Sequence, residues 1–138
     1  MKKQTQKNKN LPHYHELITE FYDFAKQNLG FKNDPKLFFI DDEKNSKDPL
    51  CQTGYYSPEK QEIYVYTTAR HPKDILRSFA HELIHHLQNS RGEFKNGVKT
   101  QEGYAQEDNH LRKMEEEAYS VGNLLLRDWT DGRQKNGR

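Results

Sequence analysis

The chain predicts an α+β fold with a small antiparallel or mixed sheet, on three observations. Its 138 residues suit one domain, since single domains commonly hold about 100–150 residues. Apolar residues recur at helical spacing in three long segments, and three short β-type runs fall between the first and second of these. The order helix, strands, helix, helix, with no internal repeat, fits a sheet covered by helices.

Each element has its own signal. Residues 1–10, MKKQTQKNKN, are polar after Met1 and carry four lysines, so a disordered basic arm is expected there. From Pro12 to about Leu29, Tyr14, Leu17, Ile18, Phe21 and Phe24 follow a helical period that stops at Gly30. KLFFI, residues 36–40, follows Pro35 and reads as a short buried strand. DDEKNSKDP, residues 41–49, reads as a polar loop. GYYSPEKQEIYVYT, residues 54–67, reads as a hairpin turning around Pro58–Lys60, with Ile63–Tyr66 as its second strand. Pro72 suits the first turn of a helix that His71 helps to begin and that runs to about Asn89. A loop with Gly92, Gly97 and Gly103 precedes a last helix over roughly Asp108–Trp129. DGRQKNGR, residues 131–138, is expected to be a second disordered basic tail, leaving residues 11–130 as the domain.

Composition narrows the function classes. Hydrophobic residues supply 32% and charged residues 31%, which points to a small core beneath a heavily solvated surface. Aromatic residues supply 12%, too many for a chain disordered throughout, so Tyr and Phe are expected to carry much of the packing. A net charge of +1 gives no strong pull towards nucleic acid, and only the basic tails offer it a weak contact. Cys51 is the single cysteine, which excludes an internal disulfide and a multi-thiolate zinc site. No apolar run reaches the roughly 20 residues of a membrane span. A cytoplasmic protein with no membrane partner is the expectation; oligomeric state is left open.

The chemistry concentrates in HELIH, residues 81–85. In the 72–89 helix, Ile75, Leu76, Phe79, Ala80, Leu83, Ile84 and Leu87 share one arc at 100° per residue. His81 and His85 lie close together on roughly the opposite side, with Glu82 at their flank. That side faces either solvent or a cleft. Spacing favours the cleft, because residues four apart stand one turn apart on the same face. Both imidazoles can then reach one tetrahedral ion at about 2.0–2.1 Å. Glu82 would project beside that ion, where a carboxylate can take a proton from bound water.

A third ligand is then needed, and the last helix offers two. Leu111, Met114, Ala118, Val121, Gly122, Leu125 and Trp129 form its apolar stripe. Glu115 lies at the margin of this stripe, facing inward, whereas Glu116 and Glu117 point away. Ala118 and Gly122 are small enough to let another helix approach closely. His110 lies on the stripe's far margin and is the alternative ligand.

HELIH followed by EEEA (115–118) resembles the gluzincin metallopeptidases, which pair HExxH with a downstream ExxA-type motif. The short chain, with a Tyr-rich hairpin leading into the motif helix, is most similar to minigluzincins and to small bacteriophage-type zinc peptidases. The resemblance covers residues 54–126. It implies a zincin-like fold, one Zn²⁺ held by His81, His85 and Glu115, and Glu82 as general base of peptide hydrolysis in a host cytoplasm. It also implies that an edge strand, here Ile63, Tyr64, Val65 and Tyr66, binds an extended polypeptide substrate. The chain departs from the pattern at Tyr119, where relatives often carry Asp or Asn.

Two rival functions stay open: a non-catalytic zinc-binding interaction module, and a DNA-associated Spartan-like protease with His110 as third ligand. The metzincin pattern is excluded, because positions 88 and 91 are Gln and Arg. Tyr104, His110 and Tyr119 are the candidates to stabilise an oxyanion. His86 reads as a packing or supporting residue.

Overall fold

The structure, a computed structural model, describes residues 3–5, 11–94 and 109–135. Its elements in chain order are β1 (Lys3–Thr5), α1 (Leu11–Leu29), β2 (Lys36–Ile40), α2 (Glu43–Ser46), β3 (Gly54–Ser57), β4 (Glu62–Tyr66), α3 (Pro72–Ser90) and α4 (Asn109–Lys135). The architecture is α+β, and its sheet is mixed.

Several boundaries follow from local chemistry. Gly30, at φ 77°, ends α1 by donating its N–H to the Lys26 carbonyl at 2.8 Å, a left-handed cap that costs glycine little. Asp42 caps the single turn α2 by accepting from the Asn45 N–H, so the polar loop over 41–49 contains one helical turn. His71 caps α3 by accepting from the Lys73 N–H at 3.0 Å, and Pro72 takes the first helical position.

The strand order is β1-β2-β4-β3. β2 runs parallel to β1 and to β4, and β3 is antiparallel to β4. After β2 the chain crosses to the far edge, forms β3, and returns as β4 between them. The expectation that Ile63–Tyr66 is an edge strand is therefore corrected: β4 is bonded on both sides, and β3 lies at the edge. Alternation of side chains is the same for an edge and an interior strand, so the local pattern carries no information on this point. Two other expectations change at the ends. Lys3–Thr5 pairs beside β2 within the supposed disordered arm, and α4 continues through 131–135 into the supposed disordered tail.

Leu37, Phe39, Tyr56, Ile63 and Val65 are buried from the inner face of the sheet. α3 covers that face through Ile75, Phe79, Leu83 and Ile84, and α1 adds Ile18, Phe21, Tyr22 and Ala25. Phe79 is the hub, with ring centroids 5.6 Å from Phe39, 6.0 Å from Phe21 and 6.3 Å from Tyr22. Truncating such a side chain to Ala typically costs about 3–5 kcal/mol. α4 packs on the other side of α3, through Ala118, Leu125, Leu126 and Trp129. α3 is thus enclosed between the sheet and α4, which places the polar side of its motif inside a helix–helix seam. Among the described residues, no helix is long and apolar enough to cross a membrane.

Candidate metal centre

The seam between α3 and α4 is tight at Gly122, which faces the backbone of Ala80 and His81. A β-carbon added at Gly122 would lie 3.3 Å from the His81 backbone nitrogen and 3.4 Å from the Ala80 carbonyl carbon. That close approach sets Glu115, two turns earlier on α4, against the two histidines of α3. Glu115 Oε1 lies 2.7 Å from His85 Nε2, and Glu115 Oε2 lies 3.3 Å from His81 Nε2. One ligand atom from each of the three residues falls within 4.8 Å of the others. This group could hold a metal ion.

The donor set fits a cation on two observations. The first concerns the tautomer of His85. Gln88 Nε2 donates to the Met114 carbonyl at 2.9 Å and to Glu117 Oε1 at 2.8 Å, so Gln88 Oε1 is the atom facing His85 Nδ1 at 2.8 Å. Nδ1 therefore carries a proton and donates. A neutral His85 then presents a bare lone pair at Nε2, 2.7 Å from a carboxylate oxygen. Two lone pairs that close require a positive charge between them, either a proton or a metal ion. The second observation is spacing: ligand atoms around a tetrahedral zinc stand about 3.3 Å apart, and the two carboxylate oxygens of Glu115 lie 2.7 and 3.3 Å from the two imidazole nitrogens, with one ligand atom from each residue within 4.8 Å of the others. His81 Nδ1 is buried without a hydrogen-bond partner among the described residues.

The electrostatics are those of a shielded site. Burial pushes the Glu82 carboxyl well above the usual carboxylate range, against the pull of His85 and His81. Burial works against charge on His85, but the hydrogen bond to Glu115 and the negative charges of Glu82 and Glu115 outweigh it, and its pKa is raised. Burial likewise opposes ionisation of Glu115, yet bonding to His81 and His85 holds its pKa down at about 2. Glu82 is buried beside this group and is not one of the three. A carboxylate with raised basicity next to a cation site has the character of a proton acceptor.

The sheet meets the site at Glu82. A β-carbon on Gly54 would stand 3.2 Å from Glu82 Oε2 and 3.1 Å from the Tyr64 carbonyl oxygen, so only glycine leaves this corner clear. The Tyr66 N–H bonds the Thr53 carbonyl, and Gly54 pairs with Val65. Hydrogen-bonded and non-bonded pairs alternate along an antiparallel ladder. The backbone groups of Gly54 and Tyr56 therefore point away from β4, towards the outer edge.

The remaining sequence candidates fall as follows. His110 is outside the three-residue group; its Nε2 lies 3.1 Å from the Glu93 carbonyl oxygen and 3.5 Å from Glu93 Oε1. Tyr119 is exposed, and its ring stands edge-on to His81 with centroids 4.4 Å apart. Tyr104 lies outside the described residues. His86 is buried facing the sheet, where it accepts from the Tyr56 hydroxyl at Nδ1 and donates from Nε2 to the Asn33 carbonyl. Ile63 and Val65 are core residues, while Tyr64 stacks between Phe38 and Tyr55 on the other face.

Sequence reasoning missed three participants. Glu117, expected to point away, reaches both Gln88 and Arg91. Gln88 itself is fully buried. Its place three residues after His85, on the same helix face, is the signal that could have found it. Phe94 closes the site beyond the end of α3, with its ring centroid 6.1 Å from that of His85. No protein-family model, curated protein or solved structure matches this chain.

Proposed function

We propose that this protein is a zinc-dependent metallopeptidase of gluzincin-like design, with Zn²⁺ held by His81, His85 and Glu115. The observation that carries the proposal is the burial of Glu82 directly beside a His–His–Glu group drawn from two helices. A closed structural zinc site would be expected to take a fourth protein ligand, and among the described residues the group contains three. Zinc bound there would supply Lewis acidity, activating a water molecule and polarising the substrate carbonyl.

The chain's own residues then have separate tasks. Glu82, whose burial raises its proton affinity, accepts the water proton and returns it to the leaving amine. β3 binds the substrate as an extended strand, since the outward backbone groups of Gly54 and Tyr56 can extend the ladder and lead a peptide past Glu82. Tyr119, whose exposed ring stands edge-on to His81, offers its hydroxyl to the developing oxyanion.

Glu82→Gln separates binding from hydrolysis. The zinc-loaded variant should keep one equivalent of metal and the parent's melting temperature, and should lose turnover of an unfolded polypeptide that the parent cleaves. Parent-like cleavage by Glu82→Gln would remove Glu82 from its assigned role. Absence of cleavage by the zinc-loaded parent, across a panel of unfolded polypeptides, would favour the non-catalytic module.

A further inference from the structure

Gln88 is wholly buried in the seam between α3 and α4, yet it belongs neither to the ligand group nor to the reacting centre. Its amide is used at both ends. Nε2 donates to the Met114 carbonyl at 2.9 Å and to Glu117 Oε1 at 2.8 Å, while Oε1 accepts from His85 Nδ1 at 2.8 Å. Met114 and Glu117 flank Glu115 along α4. One side chain therefore touches the ring of one candidate ligand and the helix on either side of another. Glu117 is held in turn by Arg91, whose guanidinium reaches its two oxygens at 2.6 and 3.3 Å.

The direction of these bonds matters more than their number. An amide can present oxygen or nitrogen to His85, and the two orientations select opposite tautomers. With two acceptors on α4 claiming the nitrogen, the oxygen is committed to Nδ1–H, and the Nε2 lone pair is aimed at Glu115. A buried glutamine that merely tied two helices together would have no need of this polarity.

We infer that Gln88 is the positioning residue of the metal centre: it fixes the ligating nitrogen of His85 and holds that ring in register with Glu115 across the helix seam. The inference rests on the metal-binding reading above. Groups that hold the outer nitrogen of a metal-bound histidine commonly change metal affinity by about 10–100-fold when removed. Gln88→Met keeps similar volume and loses the acceptor. The pair Gln88→Glu with Glu117→Gln restores the acceptor with no change in net charge: a carboxylate at 88 accepts from His85 and from the amide at 117, but it has no proton for the Met114 carbonyl, so that bond at 2.9 Å is lost.

Zinc affinity of the full chain, measured at neutral pH by competition with a chromophoric chelator, is compared with the melting temperature of each zinc-free protein. Gln88→Met should bind zinc about 10–100-fold more weakly and alter the visible absorption of the cobalt-substituted site. The reversed pair, which keeps an acceptor for His85, should bind zinc more tightly than Gln88→Met. Zinc binding by Gln88→Met as tight as the parent's, whatever its melting temperature, would reduce Gln88 to a structural tie and leave the metal reading intact. A parent chain that binds no zinc would overturn both. Should Gln88→Met not fold, the nitrogen-15 shifts of the His85 ring in the zinc-loaded parent decide: a protonated Nδ1 with zinc on Nε2 supports the assignment, and zinc on Nδ1 overturns it.

Discussion

Gly122→Val tests whether the distance between two helices sets the metal centre. A β-carbon at 122 would meet the His81 nitrogen at 3.3 Å, and the His81 α-carbon and Ala80 carbonyl carbon at 3.4 Å. Unstrained carbon contacts lie at about 3.5–4.0 Å, and all three neighbours are backbone atoms of α3 that cannot swing aside. The β-carbon alone thus requires a separation of a few tenths of an ångström, and the two γ-carbons of Val require more. Overpacking of this kind costs about 1–3 kcal/mol. Replacing a mid-helix glycine returns at most about 1 kcal/mol, so the net expectation is a loss of about 1–2 kcal/mol. In a domain of this size that lowers the melting temperature by several degrees. The larger consequence is at Glu115, which rides on the same helix. Ligand distances in a metal site lie within about 0.2 Å of their ordinary values, so a shift of a few tenths of an ångström at Glu115 should lower zinc affinity by tenfold or more. Circular-dichroism melting of the zinc-free protein and zinc competition of the folded protein read the two effects separately. A Gly122→Val protein with the parent's melting temperature and the parent's zinc affinity would refute the argument that this approach is tight and that it positions Glu115.

Other consequences are checked more simply. Gly54→Val places atoms against Glu82 Oε2 and should lower kcat at least tenfold while zinc affinity is retained; an unchanged kcat would show that the corner has room. Tyr119→Phe should lower kcat by about 10²-fold, the usual effect of losing one oxyanion donor, and parent-like turnover would leave that role to another group. Burial raises the Tyr56 hydroxyl to about 12, partly offset by the bond from Asn89. Because the folded pKa exceeds the unfolded value near 10, its contribution is complete below pH 10 and is lost as pH rises towards about 12. About two pH units at 1.36 kcal/mol each give a loss of order 2–3 kcal/mol. Denaturant melts across that range should show a shallower alkaline decline in Tyr56→Phe than in the parent.

The sequence was most informative where short-range geometry decides. The 3.6-residue period places His81 and His85 on one face, and Gly30, His71 and Pro72 mark helix ends through chemistry confined to one turn. KLFFI and the 54–67 hairpin were readable for the same reason. Pairing between distant segments was not. The interior position of β4 depends on the path of the chain from β2 to β3, which no local pattern encodes, and β3 rather than Ile63–Tyr66 forms the edge beside Glu82. Angular position at a helix margin was also a poor guide: Glu117 is turned inward by Arg91 and Gln88, partners that only the assembled seam provides. Tyr119, where an acidic or amide residue was the usual expectation, instead packs its ring on His81.

Anomalous scattering measured on both sides of the zinc absorption edge, from crystals of the full chain grown with zinc, addresses the central claim most directly. The account predicts one strong peak per chain between α3 and α4, at about 2.0–2.2 Å from a nitrogen of His81, a nitrogen of His85 and an oxygen of Glu115, with Glu82 alongside but not bound. A peak centred on His110 and Glu93, or none in the seam, would contradict it.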